Sequence, residues 1–192
     1  MKLLKTLAVC VVAASFIACG SGNVRFPDKT TKIDLKNKSV LVVVEDNASS
    51  DTKVSLAFKG AAAEKVGSKK VLPTIPDSVK GVTKIYTNFG LQDKGVVDPQ
   101  NLKALAIDEI LKLSAKLGKF DTIVFVSAEK GSGMAVPQTT GVEFYASVYD
   151  IAGKKVLAAV SDSASLVTTG LLAQMPLKAR DIVTVLLEGQ AD

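Results

Sequence analysis

No histidine occurs in the 192 residues, and no tryptophan. Without histidine the chain lacks the side chain that titrates nearest neutral pH, which excludes a Ser-His-Asp relay and the commonest metal ligand. Cysteine is almost missing as well, with only Cys10 and Cys19. Aromatic residues are 5% of the chain, three of them tyrosine, and the formal charge is +5. A nucleic-acid surface concentrates Lys and Arg beside stacking aromatics. The composition therefore argues against nucleic acid as a partner, and no residue set calls for a metal or a cofactor.

What is present begins with a leader. Lys2 and Lys5 make a positive start, Leu7 to Ala14 is wholly apolar, and no charge intervenes before Arg25. The apolar core is about a dozen residues, short of the roughly 20 that a bilayer-crossing helix needs. Residues 1–18 are read as a signal peptide. Phe16-Ile17-Ala18-Cys19 resembles the lipobox of bacterial lipoproteins, with Phe16 where leucine is usual and Gly20-Ser21-Gly22 following. The resemblance implies a diacylglyceryl group on the Cys19 thiol, cleavage before it and acylation of the new amino end. It also implies outer-membrane sorting, since Gly20 rather than Asp follows the cysteine. Two or three acyl chains hold a protein on a membrane where one binds marginally, at about 0.8 kcal/mol per buried CH₂. Cys10 lies in the leader, so the mature chain is expected to carry no free thiol and no disulfide.

Removing residues 1–18 leaves 174, enough for one domain with a proper core. The leader carries two lysines and no acid, so the formal charge falls from +5 to +3. Residues 19–38 are read as a lipidated polar tether: Arg25, Lys29, Lys32, Lys36 and Lys38 outnumber Asp28 and Asp34. Either this stretch is simply solvated, or its cations lie on anionic headgroups beside the anchor. Residues 39–192 are read as a single periplasmic α/β domain.

Within that domain Val40-Leu41-Val42-Val43-Val44 reads as a strand buried on both faces. Val54, Phe58, Ala61, Ala62 and Val66 recur at helical spacing between a cap at Asp51 and a stop at Gly67. A strand over 53–58 competes, because Val54, Leu56 and Phe58 also alternate; the helix is favoured. Pro73, Pro76, Gly81, Gly90 and Gly95 interrupt residues 67–98, where Val82 to Thr87 is read as a short strand. Asp98 and Pro99 announce a helix carrying Leu102, Leu105, Ala106, Ile110, Leu113 and Leu117 to Gly118. Asp121 to Ser127 is a second apolar strand, expected parallel to the first. Val142 to Tyr149 and Val156 to Ser161 form a hairpin whose turn assigns positive φ to Gly153. A last helix spans roughly Gly170 to Glu188, started or kinked by Pro176. The fold class is α/β, of the α+β kind. A mixed sheet ends on a C-terminal antiparallel hairpin, with about three helices packed on it.

This order, and the phrase Tyr149-Asp150-Ile151-Ala152-Gly153-Lys154-Lys155-Val156 over a frame of about 100–190, resemble the CsgG, LpoB and TolB amino-terminal group of envelope lipoprotein domains. That resemblance implies partner binding or assembly in the envelope, not catalysis. Ser127-Ala128-Glu129-Lys130 fits the Ser-x-x-Lys pattern of penicillin-recognising enzymes. Those enzymes place it at a helix start and need a Lys-Thr-Gly element, absent here. Gly131-Ser132-Gly133 lacks the Gly-Lys-Ser/Thr of a phosphate loop, and Glu129, Glu143 and Asp150 are scattered along the chain. Met134 and Val136, in the loop after the second strand, are candidate partner contacts. The expectation is a non-enzymatic outer-membrane lipoprotein that faces the periplasm, held to the membrane by its lipid, and binds an envelope protein partner or self-associates. The alternative is a small-ligand or lipid carrier serving a transport system, which would enclose an apolar cavity.

Overall fold

The computed structural model describes residues 20–92, 101–131 and 138–189. Its centre is the run the sequence marks as doubly buried. Strand β2, Val40–Asp46, is buried from Val40 through Glu45. Strand β3, Thr122–Lys130, lies parallel to it, with Val40 opposite Thr122 and Asp46 opposite Ala128. Strands β4, Thr139–Asp150, and β5, Lys155–Val167, continue the sheet antiparallel as the expected hairpin. Gly20–Phe26 adds strand β1 antiparallel to the outer side of β5. The sheet order is β1-β5-β4-β3-β2.

Because strand side chains alternate between faces, the all-apolar runs of β2 and β3 can be buried only by covering both sides. Helix α1, Thr52–Val66, and helix α4, Leu171–Glu188, cover one face. There Phe58 packs on Phe144 with ring centroids 6.1 Å apart, and Met175, Ala179 and Val183 are fully buried. Helix α2, Val82–Gln92, and helix α3, Asn101–Leu113, cover the other. Residues 67–81 carry the chain between the faces around the outer edge of β2. Val42 donates to the Lys70 carbonyl and accepts from Leu72, both at 2.9 Å, as they pass.

Helix α1 forms as expected. Asp51 accepts from the Lys53 amide at 2.7 Å, and Gly67 closes the helix at φ 76. Three expectations are corrected. Val82 to Thr87 is not a strand but the first half of α2, which brings the α-helices packed on the sheet to four among the described residues. Its β-branched residues favour a strand locally, but the carboxylate of Glu45 reaches across and accepts from the Gly81 amide at 2.9 Å and the Thr83 amide at 3.3 Å. That supplies the N-terminal partner a helix needs, and Val82 and Tyr86 then bury one turn apart.

In the hairpin turn the positive φ falls on Lys154, at 50, rather than on Gly153. Gly153 instead donates its amide to Asp150 Oδ2 at 2.9 Å. The stretch read as a polar tether is laid onto the domain. Gly20–Phe26 is a sheet strand, and Arg25 is only 8% exposed. The Arg25 guanidinium donates to the carbonyls of Val185 at 2.7 Å and Leu186 at 2.9 Å, in the last turn of α4, and to those of Asp28 and Thr31. A cation at a helix C-terminus meets carbonyls that have no partner in the helix.

Candidate functional site

Two places bring chemistry-bearing side chains together, and they sit at opposite ends of the sheet. The first is where the parallel strands end, beneath α2. Glu45, Ser127, Tyr145 and Ser161 form one cross-strand row, and Glu129, Glu143 and Ser163 the next. The carboxylates that look scattered in sequence are neighbours here, since Glu129 is directly opposite Glu143. Each is occupied. Asn47 donates to Glu129 Oε1 at 2.9 Å, and the Tyr145 hydroxyl donates to Glu143 Oε2 at 2.6 Å. Lys84 lies 3.5 Å from Glu143 and 5.1 Å from the centre of the Tyr145 ring. Its ammonium is pushed up from the ordinary lysine range, first by the Tyr145 hydroxyl and less by the Glu143 charge. Burial pushes the Glu45 carboxyl up, against the hydrogen bonds from Gly81 and Thr83. Asp150 is at the far end of β4 and joins none of this.

Ser127 is fully buried and its hydroxyl has no partner. Lys130, three residues on, belongs by alternation to the opposite face. There it lines a groove of about 570 Å³ with Asp51, Thr140 and Leu172. The Ser-x-x-Lys pair therefore points to two sides of one sheet, and lysine cannot take the serine proton.

The second place is at the start of β2. A groove of about 770 Å³ is lined by the 32–38 segment, the C-terminal ends of α1 and α4, and residues 67–70. Its floor is apolar, from Ile33, Leu35, Val66 and Leu187, and its rim carries Lys32, Lys36, Lys38, Lys69 and Lys70. The walls are tied down by hydrogen bonds to the main chain. The Ile33 amide donates to the Leu187 carbonyl at 2.8 Å, and the Ser68 hydroxyl donates to the Val40 carbonyl at 2.8 Å. The lysines come from two segments that are separate in sequence, so no motif marks them; only the excess of lysine over acid in residues 25–38 hinted at a basic surface.

The register fixes how far apart the two ends are. Val40, on the groove, is opposite Thr122, while Lys130 pairs with Val142, Val142 with Ala164, and Ala164 with Gly20. Gly20 and the groove are thus separated by the whole of β3, roughly 25 Å at strand rise. Cys19, Met134 and Val136 lie outside the described residues, as do the cap and first helical position expected at Asp98 and Pro99. Among the described residues no helix is long and apolar enough to cross a membrane, and no group of three acidic residues, histidines or cysteines is placed to hold a metal ion.

No family model and no curated protein matches this sequence. Solved structures that it resembles include the PelC dodecamer from Paraburkholderia phytofirmans, at 11% identity and a TM-score of 0.49 over 90% of this chain and 100% of that one. They also include lipoprotein GNA1162 from Neisseria meningitidis, at 18% identity and a TM-score of 0.35, covering 74% of this chain and 96% of the other. A DUF330-family protein from Xanthomonas campestris matches at 14% identity and a TM-score of 0.31 over 83% of this chain and 88% of its own.

Proposed function

We propose that this chain is an outer-membrane lipoprotein, acylated on Cys19 and facing the periplasm, whose domain docks an envelope partner protein without catalysing a reaction. The observation that carries the reading is the placement of β1. The first paired residue, Gly20, directly follows the lipobox cysteine at one end of the sheet, and the lysine-rimmed groove opens at the other. A body held by one end presents the opposite end to whatever lies in the periplasm. The absence of catalysis is supported by the separation of Ser127 from Lys130 and by the occupied state of Glu129 and Glu143. A carrier would need an enclosed apolar chamber, whereas the two grooves described are open and carry charged rims.

The test is metabolic labelling with a clickable fatty acid in the native host, followed by membrane fractionation. Label is expected on the wild type in the outer-membrane fraction and none on Cys19→Ala. An unlabelled wild type, or label in the inner-membrane fraction, refutes the anchor or its sorting. Photo-crosslinking from Met134 and Val136 in the same cells tests those two residues as partner contacts.

A further inference from the structure

We propose that the groove at the start of β2 is a docking site for an acidic, leucine-bearing peptide segment of the partner. This deepens the docking reading above and rests on it for the partner's location, though the chemistry of the groove can be tested separately.

Charge complementarity is the first argument. Lys32, Lys36, Lys38, Lys69 and Lys70 line the groove with only two carboxylates, Asp34 and Glu188. Glu188 is already paired with Lys65 at 2.8 Å, and Asp34 accepts from the Lys36 amide at 2.9 Å. Among the described residues, none of the five rim lysines has a carboxylate within ion-pair distance. The bland account is that they offset the helices ending here. Helix α1 ends at Gly67 and α4 at Gly189, each worth about half a negative charge. Two half charges and two carboxylates leave an excess of about two positive charges, too much for that account to absorb.

The floor is the second argument. Ile33, Leu35, Val66 and Leu187 are partly buried rather than covered, so the groove offers hydrocarbon between its cations. A simple counter-ion would not use that surface; a segment alternating carboxylate and hydrocarbon would. The kind of cation points the same way. All five are lysines, compact point charges, with no arginine fork of the sort that grips one phosphate in bidentate fashion. Carboxylates spaced along an extended peptide suit separate point charges better. Finally, the walls are held by hydrogen bonds to the main chain of β2 and α4, so little ordering opposes binding. The groove also lies a full strand length from Gly20, away from the headgroups beside Cys19.

The test uses the full-length acylated protein in detergent and three probes in fluorescence anisotropy or flotation. These are a short peptide alternating glutamate and leucine, its counterpart alternating lysine and leucine, and phosphatidylglycerol vesicles. The acidic peptide is expected to bind and the basic one not. Affinity should fall with salt and drop about tenfold in the double variant Lys36→Glu with Lys69→Glu, at the usual worth of two exposed pairs. Lys53→Glu, at the far end of α1, should leave it unchanged. The double variant Lys36→Gln with Lys69→Gln, which adds no repulsion, is expected to retain the wild-type melting temperature and still lose several-fold. Equal binding of both peptides overturns the proposal, and so does vesicle binding that falls in Lys36→Glu with Lys69→Glu below what the acyl chains alone give, which would assign the groove to lipid. Photo-crosslinking from Leu35 in intact cells separates the two readings. If Cys19 is acylated and a partner crosslinks from Val136 but not from Leu35, docking stands and the groove falls. If the acidic peptide binds as described but Cys19 carries no lipid, the groove stands and the anchored reading falls.

Discussion

Under α1 and α4, Val42, Val126, Phe144 and Val160 meet Phe58, Met175 and Val183, all of them hydrocarbon or thioether surface. Under α2, Phe125 and Tyr86 stack at 5.2 Å, but the same layer then passes to Glu45, Ser127 and Ser147 and to Thr87 above them. The hydroxyls of Thr87, Ser127 and Ser147 are buried without a hydrogen-bond partner. What these small side chains allow is close approach. A Cβ on Gly90 would come within 2.5 Å of Ala159 Cβ and 2.8 Å of a Val156 methyl. One face is thus secured by volume, and the other gives up volume and hydrogen bonds so that a helix can lie tight against the strands.

The largest test of that contrast is Phe58→Ala. It should cost about 3–5 kcal/mol, the range for a fully buried aromatic, as a loss in urea midpoint at constant slope. A loss below about 1 kcal/mol would mean that this face is not the one holding the fold. Next come two helical glycines expected to respond with opposite sign. Gly90→Ala must push against Ala159 and Val156 and should destabilise by about 1–3 kcal/mol. Gly60→Ala, with nothing within 4 Å on α1, should stabilise by up to about 1 kcal/mol through helix propensity. Thermal melts of both decide it, and the same sign for the two would break the comparison. Smaller still is Ser127→Ala. Removing a buried hydroxyl with no partner should be neutral or stabilise by up to about 1 kcal/mol, whereas a clear loss would reveal a hydrogen bond there.

The smallest effect is a pH dependence. Burial raises the Glu45 carboxyl above its unfolded value. Between those two values the folded chain holds more protons than the unfolded one, so stability falls as pH rises through that window. Wild type should therefore lose stability relative to Glu45→Gln as pH rises from the ordinary glutamate range, read from urea midpoints across a pH series. A flat difference would show that the α2 amides compensate the charge fully.

Much of this architecture could be read from the chain, and for reasons tied to particular residues. Val40 to Val44 and Thr122 to Val126 are continuous apolar runs, and such runs demand cover on both faces; the structure gives it. Asp51 and Gly67 bracket α1 because both caps are local. Helix α2 was hidden because its N-terminal partner is Glu45, contributed from 36 residues earlier in the chain. Strand β1 was hidden for a similar reason. Arg25 reads as solvated until the carbonyls of Val185 and Leu186, some 160 residues away, are brought to it. The basic groove needs both Lys32 to Lys38 and Lys69-Lys70, which only folding joins. In each case the deciding contact is distant in sequence, and periodicity reports only near neighbours.

The two borders of the sheet differ in one further way. Lys70 and Leu72 occupy the outward amide and carbonyl of Val42, which closes the β2 border in its middle, whereas among the described residues no strand lies outside β1. Among the described residues the β1 border is therefore the more open of the two to a strand from another chain. Two copies meeting border to border through β1 would each be capped by the other, so this route gives a closed pair and cannot run on into a filament.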